Sequence, residues 1–175
     1  MSSNSVLDIE QDIKAIVDSA HAQPTRPPVR FSEAASLGDN VRQGDIYLVL
    51  IPMPKATDIT AIPAAQLAAG YQLAPGSTQG SRHVLQFDRA SIGATVFAPK
   101  NQAAIADLVN KHAKLEKPVP AELIGPVFQP GSKDAVIEHP EHAHAVIPAA
   151  TVPSDMACAV VYQRAFAEEV RRVQD

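Results

Sequence analysis

Residues 44–54 read GDIYLVLIPMP, and this stretch decides the fold. From Ile46 to Ile51 every residue is apolar, yet the run is too short for an ordinary helix, so it reads as a buried strand. Gly44 precedes it as a turn residue. Pro52 and Pro54 end it, because proline donates no N–H to a ladder and restricts the residue before it. The same punctuation recurs down the chain. Strands are expected at His83–Phe87, Ala94–Ala98, Glu122–Phe128, Asp134–Ile137, His142–Ile147 and Ala157–Gln163, nearly all bounded by proline or glycine. Short strands at that spacing predict a mainly β fold, a small barrel or sandwich (cupin-like among the options), over repeated βαβ units.

Helices flank and interrupt this series. In SVLDIEQDIKAIVDSA, residues 5–20, Val6, Ile9, Ile13, Ile16, Val17 and Ala20 share one face, and Ser5 with Asp8 suits the free amides of a first turn. The proline-rich stretch 21–40 reads as a linker or surface crossing. The expected organisation is an N-terminal helix and proline-rich arm over 1–40, followed by a single β-rich domain over 41–175. The helix's apolar stripe requires cover, which points to self-association as a homo-oligomer or to another protein. Inside the domain, Pro63 and Gly70 bracket a short helix. An inserted helix over 102–116 is capped by Asn101, carries Ile105, Leu108, Val109, His112 and Leu115 on one side, and ends before Pro118 and Pro120. A short polar helix is expected from Ala165 to Val173.

Composition excludes some functions. With 175 residues, 15 basic and 19 acidic side chains and a net charge of -4, the chain suits one domain and lacks the basic excess of a phosphate-neutralising partner. Three tyrosines and no tryptophan argue against base stacking, so no nucleic-acid partner is expected. No run approaches the length of a spanning helix, so no membrane partner is expected either. The first apolar segment carries Asp8, Glu10, Asp12, Lys14 and Asp18 without a basic lead, a poor secretory signal. The single cysteine, Cys158, lies in the apolar run ACAVVY and reads as a core residue. A reducing cytoplasm is the expected compartment.

The chemistry concentrates in VIEHPEHAHAVIP, residues 136–148, where three of the chain's six histidines fall between positions 139 and 144. If 142–147 is extended, His142 and His144 point to one side, while Ala143, Ala145 and Ile147 face the core. His139, before Pro140, is placed to fold back from a turn. His83, opening a strand after the loop APGSTQGSR, is the best distant partner. Imidazole nitrogens suit divalent zinc, iron, nickel, manganese or copper, and a glutamate completes the shell of a two-His, one-carboxylate site. The candidate ligands are therefore His83, His139, His142 and His144, with Glu141 (or Glu138) as a further ligand or a general base. The plainer alternatives are a polar turn rim and a pH-sensitive hydrogen-bond cluster. No HExxH helix or Cys-x-x-Cys pair is present. His21 and His112 read as surface or structural residues.

The segments RQGDIYLVLIP, PGSTQGSRHVL, VIEHPEHAHAVIPA and YQRAF…RRVQD, in that order, resemble a family of small uncharacterised bacterial and phage proteins. That resemblance covers about residues 42–175. Its members open with a Gln-Gly-Asp strand, carry a Gly-His-x-His segment and a later His-x-Glu-His segment, and end in Gln-Arg-Glu-Tyr and Arg-Arg-Val-x-Asp. Gln43-Gly44-Asp45, His83, His139, Glu141, His142, Gln163 and Arg164 match it. Ser81 stands where the pattern has its first histidine, Ala165 and Phe166 replace Glu and Tyr, and the helix at 102–116 reads as an insertion. The resemblance implies no established activity. The expected function is a transition-metal-binding β domain acting on or sensing a small molecule. The alternative is a non-enzymatic structural or interaction protein of a phage or multi-subunit assembly.

Overall fold

The computed structural model describes residues 27–74, 82–87, 91, 93–113 and 115–163, so the helices expected at 5–20 and 165–173 lie outside the described residues. In chain order the elements are β1 (Val29–Arg30), β2 (Asn40–Gln43), β3 (Ile46–Pro52), β4 (Ile59–Ala61), α1 (Ala64–Leu67), β5 (Tyr71–Gln72), β6 (Val84–Phe87), β7 (Thr95–Pro99), α2 (Gln102–His112), β8 (Ile124–Gln129), β9 (Ala135–Glu138), β10 (Ala145–Ile147) and β11 (Met156–Tyr162). They form a six-stranded sheet, β2-β3-β11-β8-β7-β4, and a five-stranded sheet, β1-β10-β9-β6-β5. All pairings are antiparallel except that of β1 with β10.

The central run explains the layering. Alternate residues of a strand face opposite ways, so a continuously apolar strand needs cover on both sides. Ile46, Leu48 and Leu50 of β3, with Cys158 and Val160 of β11, meet Leu85, Ile137, Ala145 and Ile147 of the five-stranded sheet. Val49 and Ile51, with Ala157, Ala159 and Val161, meet Ile105, Ala106 and Val109 of α2 on the other face. The result is sheet on sheet on helix. Each buried valine, leucine or isoleucine among these contributes about 1.5–3 kcal/mol.

The barrel alternative is corrected by this arrangement: neither sheet closes, one ending at β2 and β4 and the other at β1 and β5. The second sheet and α2 between them cover both faces of the larger sheet, so it buries its apolar residues without wrapping on itself. Two of the edge strands, β1 and β5, are only two residues long, which limits their exposed ladder groups. The stretch expected to be a surface crossing also joins the core at its end. The Val29 amide donates to the His144 carbonyl at 2.8 Å, and the Phe31 side chain is buried between the sheets.

Helix α2 begins as expected, with Asn101 Oδ1 accepting from the Ala104 amide at 3.2 Å. It ends at His112, short of position 116, for two tertiary reasons. Gly38, at φ +85°, lies against the His112 carbonyl so closely that a Cβ would collide with it. Asn110 also clasps the returning chain, accepting from the Val119 amide at 2.6 Å and donating to its carbonyl at 2.9 Å. Asn110→Ala leaves both groups of Val119 without that partner and is expected to cost about 1–2 kcal/mol. Urea denaturation checks this, and a cost within error of zero would show that water replaces the clasp. Among the described residues no helix is long and apolar enough to cross a membrane.

Candidate functional site

Strand register brings the distant histidine to the cluster. β6 pairs β9 with Val84 opposite Glu138, so the preceding and following residues, His83 and His139, meet at the end of the ladder. Their ring centroids are 4.5 Å apart, and His142 stacks on His139 at 4.3 Å, with 6.4 Å from His83 to His142. His83 and His139 are buried, and His142 is half-buried. The structure thus joins His83, His139 and His142. His144, half-buried just before β10, shares none of the ring contacts found among the described residues. Glu138, the last residue of β9, and Glu141, on the β9–β10 connection, are both exposed.

That connection departs from the extended strand expected over 142–147, because β10 begins only at Ala145. The cause is His139. Its Nδ1 accepts from the amides of Glu141 and His142, each at 3.0 Å, giving the backbone a local partner in place of a ladder. These partners require a lone pair on Nδ1, which assigns the proton of the neutral ring to Nε2.

Gln43 organises the other side. It ends β2 in the six-stranded sheet and is almost wholly buried. Its Nε2 donates to the carbonyls of Ile137 and Ala143, both at 2.9 Å. With the amide hydrogens so placed, Oε1 faces His83 Nδ1 at 3.1 Å and must accept from it. His83 therefore carries its proton on Nδ1 and a lone pair on Nε2. That Nε2 is buried and has no hydrogen-bond partner among the described residues. Burial, reinforced by His139 and His142, pushes the His83 pKa down from 6.5 to about 3, so this ring is neutral at ordinary pH.

The turn after Gln43 is shaped around His142. Gly44 has φ +54°, and a Cβ there would collide with the His142 ring. The Gly44 carbonyl accepts from Arg42 Nε at 3.0 Å and from Gln163 Nε2 at 2.9 Å, while the Gln163 amide donates to the Asp45 carbonyl at 3.0 Å. The Gln-Gly-Asp turn, the histidine connection and Gln163 thus converge at one end of the sandwich. Gln43 is the residue that chemical reasoning from the sequence did not single out; its signal was the match of Gln43-Gly44-Asp45 to the Gln-Gly-Asp opening. Ser81 and Arg164 lie outside the described residues.

Among the described residues, no group of three or more His, Cys, Asp or Glu side chains is arranged to hold a metal ion as it stands. The hydrogen bonds explain this in part: the His139 lone pair is turned to the backbone, leaving His83 Nε2 as the buried acceptor. Cys158 contributes nothing here. It is buried between the sheets, and burial raises its thiol pKa above the ordinary value. No family model, no curated protein and no solved structure matches the chain.

Proposed function

We propose that this domain binds a divalent transition metal at the histidine cluster and uses it to bind or sense a small polar molecule. The observation that carries this reading is the buried lone pair of His83 Nε2, which lacks a partner among the described residues while Gln43 holds the other ring nitrogen. Leaving such a group unsatisfied costs about 1–3 kcal/mol. Metal-bound imidazoles characteristically donate their second N–H to an oxygen that fixes tautomer and ring orientation, the role Gln43 Oε1 fills here. His142 is the second ligand in this reading, and Glu141 supplies a carboxylate from the exposed rim, a donor set suited to zinc, iron, nickel or manganese. His139 packs between the two rings and holds the connection; ligation through its Nδ1 would sacrifice two backbone hydrogen bonds. A reducing cytoplasmic setting and a cupin-like role belong to the same proposal, the first resting on the single buried cysteine.

Elemental analysis of tag-free protein, reconstituted with each metal and freed of excess, tests it. The wild type should retain about one equivalent, and His83→Gln and His142→Ala less than about a tenth, with His112→Ala as the unaffected control. Circular dichroism would establish that the variants are folded. A wild type that retains less than about a tenth of an equivalent of every metal ends this reading.

A further inference from the structure

The chain that returns from α2 leaves a cleft of about 630 Å³ against the outer face of the six-stranded sheet, within the size range of small-molecule sites. Tyr47, Leu123 and Val161 supply its apolar floor, and Arg42, Lys117 and Glu116 its charged rim. Both walls are fastened. On one side the Asn110–Val119 clasp fixes the returning chain. On the other, Arg42 is held by the Gly44 carbonyl at 3.0 Å and by Gln163 Oε1 at 3.3 Å, with its guanidinium carbon 5.9 Å from the Tyr47 ring centroid.

The charge balance of the rim favours an anion. Both acceptors of Arg42 are neutral, and the ion pairs found among the described residues belong to Arg30, not to Arg42 or Lys117. Two of the five guanidinium N–H groups are committed, leaving donors in the planar fork that suits a carboxylate. One glutamate against an arginine and a lysine leaves the rim positive. We propose that the cleft binds a small organic anion with an apolar body, its carboxylate on Arg42 and Lys117 and its body over Tyr47, Leu123 and Val161. This site is separate from the histidine cluster and does not depend on metal.

The test uses metal-free protein in chelator and three probes of one shape: naphthoate, neutral naphthamide and cationic naphthylmethylammonium. Calorimetry should show naphthoate binding at least about tenfold more tightly than either counterpart. Amide resonances of Tyr47 and Val161 should move during the titration. Arg42→Gln should weaken naphthoate at least about tenfold and leave naphthamide unchanged. Because Arg42 also supports the Gly44 turn, Lys117→Gln on the exposed rim is the second variant, with an expected weakening of about threefold to tenfold. Absent binding, equal affinity for the acid and the amide, shifts confined to other regions, or folded Arg42→Gln and Lys117→Gln proteins with wild-type affinity would each overturn the proposal.

Discussion

Gln43→Leu should lower the stability of the domain by about 3 kcal/mol and its Tm by about 10 °C. Leucine has a comparable size, so the substitution opens little space. It removes the acceptor of the His83 N–H and the donors to the Ile137 and Ala143 carbonyls. These groups lie where Gln43 ties one sheet to the other, and a buried polar group without a partner costs about 1–3 kcal/mol. Gln43→Glu separates hydrogen bonding from shape. It keeps an acceptor for His83 but turns a carboxylate toward two carbonyl oxygens, so it should be no more stable than the leucine variant at neutral pH. Urea unfolding of the three proteins at equal m-values checks the order. A loss below about 1 kcal/mol for Gln43→Leu would mean that the glutamine contributes only packing.

Acid should destabilise the metal-free protein through His83. The unfolded imidazole takes a proton near 6.5, whereas the folded one resists until about 3, so the unfolded state binds more protons throughout that window. Stability therefore rises with pH between those values and falls as acid is added, by up to about 1.4 kcal/mol per pH unit from this one group. Below about 3 both states are protonated and the contribution levels off. Carboxylates also contribute in acid, so the informative quantity is the difference from His83→Phe, which keeps a ring but does not titrate. That variant starts less stable, because Gln43 Oε1 loses its donor, but its stability should vary with a shallower slope between about pH 6 and 4. Parallel slopes for the two proteins would remove His83 as the cause.

The β-rich character was legible because its signals are local. The run at 46–51 became β3, Pro63 and Gly70 bracketed α1, and Asn101 capped α2. Misreadings arose where a distant residue intervened. The end of α2 follows from Gly38 and Val119, neither of which belongs to the helical pattern. The late start of β10 follows from an imidazole that satisfies the backbone of its own connection. The site was legible as a list of histidines but not as a geometry, since periodicity in one segment says nothing about the partner that register places opposite. His83 reaches the cluster through the pairing of β6 with β9, and Gln43 through the packing of the two sheets.

By itself, the sequence determined that short β segments punctuated by proline would bury a continuous apolar strand, and that three histidines would share one short polar stretch between 139 and 144. Both follow from side-chain polarity and backbone restraint acting over a few residues. Only the tertiary structure decided that the sheets stay open and that a helix covers the second face of β3. It alone decided that Gln43 assigns the His83 proton to Nδ1 and leaves a buried lone pair on Nε2. The physical reason is range. A strand's preference is written in its own residues, whereas the proton position on a buried ring depends on hydrogen-bond partners that only folding brings within 3 Å or so.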